Sequence, residues 1–119
     1  MAHILSISYD KALLQTRELL LQQIGHTVVS ALGFAQAIKA CSDLGATLDL
    51  VVLGHSIPRD DQKALIAQMR QSCKCPFIAL LRPHEAPVEG AARSIDVSEP
   101  RDFLAAVRDV LTPKREEKR

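Results

Sequence analysis

Two stretches limit the folds open to this chain: the run from Asp49 to Pro58, DLVVLGHSIP, and residues 77–81, FIALL. Neither shows the apolar–polar alternation of a strand with one face in water. Strands without that alternation are buried on both faces, so they need covering layers above and below. The first run stops abruptly at Gly54, with Pro58 four residues further on. In α/β proteins the loop after the carboxyl end of such a strand is where ligands and chemistry are usually placed. Here that tip holds Gly54 and His55 and no carboxylate.

The covering layers are legible on either side. Residues 3–8 read as a first strand carrying Ile4, Leu5 and Ile7. Asp10 then sits where an N-cap oxygen accepts from free backbone N–H groups. Residues 11–24 place Leu13, Leu14, Leu20, Leu21 and Ile24 at helical spacing, and Gly25 ends that helix. A second strand spans 27–31. The helix over 34–44 carries Phe34, Ile38, Cys41 and Leu44 on one face, with Gly45 as its stop. The third strand is 48–53, and the third helix, 60–72, carries Leu65, Ile66 and Met69.

After the fourth strand, Pro83, Pro87 and Gly90 disfavour a long helix. A short fifth strand over 94–97 and a last helix over 101–111, burying Phe103, Leu104, Val107 and Leu111, complete the pattern. Alternating buried strands and amphipathic helices imply a doubly wound parallel sheet. Right-handed crossovers leave a flavodoxin-like order 2-1-3-4-5 as the simplest α/β arrangement, with the fourth helix shortened or missing. The expected organisation is one domain over 1–112 and a charged tail over 113–119.

Composition narrows the function classes. The 119 residues are 47% hydrophobic and 24% charged, as in ordinary globular domains. A net charge of +1 and 3% aromatic content without tryptophan argue against a nucleic-acid partner. No apolar run approaches the roughly 20 residues of a membrane span, so no membrane partner is expected. The N-terminus lacks a basic stretch followed by an apolar core, which argues against a secretory signal. Three cysteines, an odd number, suit a reducing cytoplasm better than a disulfide framework. Cys73 and Cys75 have no second ligand pair and read as loop thiols, while Cys41 reads as a helix-face core residue. No cofactor and no metal are expected.

In order and spacing, HILSISYD, DLVVLGHSIP, CPFIALL and SEPRDFLAAVRDVL resemble the receiver domain of bacterial two-component response regulators, the CheY-like family. The likeness runs over roughly residues 3–111. A receiver uses an aspartate as phosphoryl acceptor, two acids to hold Mg²⁺, a hydroxyl to bind phosphoryl oxygens and a lysine for positive charge. The resemblance assigns these roles to Gly54, to Ser8 and Tyr9, to Leu81, and to Glu99 before Pro100. None of the five positions keeps the required group, and Glu99 reverses the charge. A carboxylate there repels a phosphoryl group. The resemblance therefore implies a degenerate pseudo-receiver.

Several residues at the sheet edge remain candidates for other work. His55 could serve as phosphoacceptor, metal ligand or proton shuttle, against the plainer reading of a loop histidine held by backbone groups. Ser8 and Ser56 lack a base or glycine-rich cradle, which favours local backbone bonds. Arg82 and Glu99 either form a polar cluster, with Asp10 or His55, that fills the vacated site, or point apart as two solvated side chains. The tail KREEKR mixes signs, as a solvated end does.

The resulting expectation is a stand-alone, phosphorylation-incompetent signalling protein that is not an enzyme. It would bind a protein partner through a helix face, with a homodimer as one possibility. Whether it is a piece of a longer protein stays open. The alternatives are a small-ligand or anion sensor using the vacated crevice, and a phosphorelay receiver with His55 or Asp10 as a non-standard acceptor.

Overall fold

A computed structural model of the chain describes residues 2–82, 85–96 and 100–112. The described residues form five strands: β1 (His3–Ser8), β2 (Thr27–Leu32), β3 (Leu50–Leu53), β4 (Phe77–Leu81) and β5 (Arg93–Asp96). Among the same residues are four helices: α1 (Lys11–Gln23), α2 (Phe34–Leu44), α3 (Arg59–Met69) and α4 (Pro100–Leu111). All strand pairs are parallel, in the order β2-β1-β3-β4-β5. This is the flavodoxin-like sheet expected from the sequence.

Side-chain parity along the strands divides the core in two. Ile4, Leu50, Val52, Ile78 and Leu80 pack with Leu21 of α1 and with Phe103 and Val107 of α4. Leu5, Ile7, Val51, Leu53 and Ala79 pack with Ala37 and Cys41 of α2 and with Leu65, Ile66 and Met69 of α3. Every residue of β3 and all but the ends of β4 are fully buried, which explains why neither run alternates. Among the described residues, no helix is long and apolar enough to cross a membrane.

Element ends differ from expectation where backbone groups find local partners. The third strand starts at Leu50 rather than at residue 48, because Gly45–Thr47 form a 3-10 turn closed by Leu48 N–H donating to the Gly45 carbonyl. Gly45 does not stop the chain in a left-handed conformation. It is helical, with φ −51°. The third helix ends at Met69, where the N–H groups of Ser72 and Cys73 turn back to the Met69 carbonyl. The fifth strand begins one residue early, after Ala92 N–H bonds the Phe77 carbonyl. Its expected end at Val97 lies outside the described residues, as does the tail.

Between β4 and β5, residues 85–92 contain turns and no helix, in keeping with a shortened fourth helix. Val88 is buried beneath this loop, and its N–H donates to Ser94 Oγ at 2.9 Å. Arg59 and Arg70 of the α3 side tie the loop down through the Pro87 and Gly90 carbonyls. Cys41 is buried on the inner face of α2, as its spacing predicts, but it is not a free thiol. Cys73, read as a loop thiol, is buried and disulfide-bonded to it. Cys75 is the free thiol, half-buried, and burial raises its pKa.

Candidate functional site at the ends of β1 and β3

The chain leaves β1 outward to β2 and then crosses back to β3, so the crevice of the doubly wound sheet opens above the carboxyl ends of β1 and β3. Ser8 ends one strand and Gly54 follows the other, with Gly54 N–H donating to the Ile7 carbonyl at 2.9 Å. Gly54 shares the parity of Leu50 and Val52, whose side chains face α1 and α4.

A side chain from α1 fills the space that Gly54 leaves. The buried residues of α1 are Leu14, Arg17 and Leu21, so a charged residue lies on the inward stripe. Arg17 is only 5% exposed. Its Nη1 lies 2.7 Å from where a Cβ on residue 54 would stand, and the Ile7 carbonyl oxygen lies 3.0 Å from that point. Glycine is what lets the guanidinium in. The other nitrogen, Nη2, donates to His55 Nδ1 at 2.9 Å. A guanidinium cannot accept, so Nδ1 is the acceptor and a neutral His55 carries its proton on Nε2. Burial pulls the Arg17 pKa down from its ordinary value, and Asp10 opposes that shift.

Among the described residues, His55 is therefore held by a side chain rather than by the backbone. Its pKa is lowered, first by burial, then by Arg17 and by Arg82, with Asp10 and Glu85 pulling the other way. The unfolded chain takes up this proton before the fold does. Stability is then greatest above about pH 6.5 and declines as pH falls through the folded pKa. His26, lowered mainly by burial, adds to the same slope. Urea midpoints measured at pH 7 and pH 5 should fall less in His55→Gln than in the parent; an equal fall would remove His55 from the account.

The remaining groups are tied to one another. Ser8 Oγ and Ser56 Oγ lie 2.9 Å apart, and Ser56 Oγ accepts from Tyr9 N–H at 2.9 Å. Ser8 Oγ also accepts from Asp10 N–H at 3.0 Å. Asp10 caps α1, its Oδ1 accepting from Leu13 N–H at 3.0 Å. The Tyr9 hydroxyl donates to Asp61 Oδ2 at 2.8 Å. Among the described residues no three His, Cys, Asp or Glu side chains gather as a metal would require.

Burial and Asp61 together push the Tyr9 pKa up to about 12. Because the neutral hydroxyl is the favoured form in the fold, its contribution is complete below pH 10 and is lost as pH rises toward 12. Tyr9 is the one tyrosine and tryptophan is absent, so tyrosinate absorbance reports this group alone. The folded protein should titrate well above the value measured in denaturant, and Asp61→Asn should bring the midpoint down.

Of the expected polar cluster, Asp10, His55 and Arg82 lie among the described residues. Arg82 pairs with Glu85, Nη1 to Oε2 at 3.5 Å, and its N–H donates to Glu85 Oε1 at 2.8 Å. Glu99 lies outside the described residues. Asp10 serves the helix cap, and His55 is joined by Arg17. Leu81 ends β4 as a buried apolar side chain. Sequence reasoning missed Arg17, although position 17 falls on the stripe of Leu14 and Leu21. It also missed Gln62 of α3, which is 1% exposed and donates Nε2 to the Gly54 and Leu80 carbonyls, each at 3.1 Å.

No protein-family model and no curated protein matches the sequence. Solved structures do match the fold. A response regulator receiver domain protein from Clostridium thermocellum is 18% identical, with a TM-score of 0.81 and 98% of each chain covered. A CheY-like receiver domain protein from Methanospirillum hungatei is 19% identical, with a TM-score of 0.79 over 99% of this chain and 98% of that one. A structure of histidine kinase ThkA in complex with response regulator TrrA matches at 18% identity and a TM-score of 0.76, covering 94% of this chain and all of the matched one. The chain has the fold of response regulator receiver domains.

Proposed function

We propose that this chain is a receiver-like signalling protein that cannot be phosphorylated and that works through protein–protein contact. The observation that carries the reading is the Arg17 guanidinium lying 2.7 Å from where a side chain on residue 54 would begin. A phosphoryl acceptor at that tip needs a carboxylate, and the in-line transfer needs Mg²⁺ bridging acids and phosphoryl oxygens. Here position 54 has no side chain. The adjoining Ser8 and Tyr9 are neutral, and Asp10 is engaged as a helix cap. A divalent cation brought to this place meets a buried guanidinium at close range, which is repulsive.

The fold likeness supports a signalling role, and the matched complex of ThkA with TrrA shows a regulator of this fold held by a protein partner. On this reading, binding carries no phosphate-driven change in population, because the element that would sense the phosphoryl group, Leu81, has no hydroxyl. Mg²⁺ binding tests the reading. Amide resonances of residues 8–10 and 54–56 should stay fixed as Mg²⁺ is raised to millimolar levels; saturable shifts confined to those residues would overturn it.

A further inference from the structure

The three cysteines of the chain meet near the amino-terminal end of β4, at the opposite edge of the sheet from Gly54. The Cys41–Cys73 disulfide ties α2 to the turn after α3 across a sequence separation of 32. Both residues are 1% exposed, so their bond is shielded from a reductant arriving from solvent. Cys75 is half-buried and free. It stands two residues beyond Cys73, and the two line one cleft of about 600 Å³ with Arg70 and Lys74. A thiolate opens a disulfide by attacking one of its sulfurs directly, so a thiol sharing a cleft with that sulfur is placed for exchange. The two cations at the cleft favour the thiolate, while burial and Asp49 oppose it.

We infer that Cys75 opens the Cys41–Cys73 bond by intramolecular exchange, which makes the tie between α2 and α3 a clasp with two covalent states. The Cys75 sulfur, having released its proton to solvent, attacks Cys73 Sγ. A Cys73–Cys75 bond forms, the Cys41–Cys73 bond breaks, and the electron pair leaves on Cys41 Sγ, which takes up a proton. One disulfide and one thiol stand on each side of this step, so no oxidant or reductant enters it. The leaving sulfur has a partner in place. Cys41 Sγ lies 3.7 Å from the Met69 carbonyl oxygen, which can accept from the buried S–H. The two states differ in what they hold. One joins two helices, whereas the other closes only the three residues 73–75 and leaves α2 without a covalent tie to the α3 side. This chemistry is separate from the Gly54 site and does not depend on whether the protein can be phosphorylated.

The test follows which cysteine is free. The full chain is incubated without reductant at about pH 9, where more of the thiol is ionised, then acidified to about pH 6 and blocked with N-ethylmaleimide in denaturant. Lys74 separates Cys73 from Cys75, so trypsin puts all three cysteines on different peptides. The label should start on Cys75 and move in part to Cys41, at a rate independent of protein concentration. Label confined to Cys75 at every time, label on all three cysteines, or a rate proportional to concentration overturns the proposal. Thermal unfolding gives a second reading. The exchanged fraction should melt about 8 °C below the starting form, because a three-residue loop constrains the unfolded chain far less than the longer one. Cys75→Ser should keep the single higher transition after the same incubation; a lower transition there too overturns the role of Cys75.

Discussion

Gly45→Ala should lower the stability of this protein by about 3 kcal/mol, the upper range for forcing extra volume into a packed interior. The reason is the close approach of another chain segment. A Cβ at position 45 meets the Ser72 carbonyl oxygen well inside contact distance, and the Ser72 carbonyl carbon at 2.9 Å. Both are backbone atoms of the turn that closes α3, where Ser72 N–H and Cys73 N–H hold the Met69 carbonyl. That turn cannot retreat without disturbing Cys73, which is buried and bonded to Cys41 of α2. Urea unfolding should show a lower midpoint with an unchanged slope. A loss under 1 kcal/mol would mean that the α2–α3 junction yields more readily than described.

Gln62→Leu should cost about 2 kcal/mol, although it replaces a buried amide by a side chain of similar size. The Gln62 amide reaches from α3 to two buried carbonyls, at Gly54 and Leu80, and so joins the carboxyl ends of β3 and β4. Leucine leaves both without that donor, and an unmade bond to a buried carbonyl costs more than a made one contributes. The Gly54 carbonyl keeps Ile57 N–H at 3.2 Å, which moderates the loss. Gln62→Glu separates bonding from packing. It keeps the shape, brings a carboxylate toward two carbonyl oxygens, and should be worse than leucine at pH 7. If both variants match the parent in urea, the amide does not join the strands.

The architecture was readable from the sequence because burial on both faces leaves a distinct mark. Leu50–Leu53 and Phe77–Leu81 lack alternation for the reason seen in the packing, and Pro83, Pro87 and Gly90 anticipated the missing helical segment. Element ends were less readable, since they depend on long-range partners. Nothing local to residues 60–72 shows that Met69 will accept two backbone bonds. The site was partly legible. The order of the strands marked position 54, but not what would fill it. Gly54 alone is a turn residue, and Arg17 alone is a helix charge with a long, flexible stem. Their meeting depends on how α1 lies across the sheet. Arg82 pairs with Glu85, three residues on in the loop after β4, and Glu99 lies outside the described residues.

The decisive property is whether the tip of β3 can accept a phosphoryl group. Incubating the protein with a small phosphodonor and Mg²⁺, followed by intact-mass measurement, addresses that point without a partner or ligand. An unchanged mass is expected for the parent. The same is expected for Gly54→Asp, because the introduced carboxylate faces the Arg17 guanidinium and the adjoining Ser8 and Tyr9 supply no acidic pair to hold Mg²⁺. A stoichiometric gain of one phosphoryl group by the parent protein, lost on replacing His55 or Asp10, would contradict that expectation.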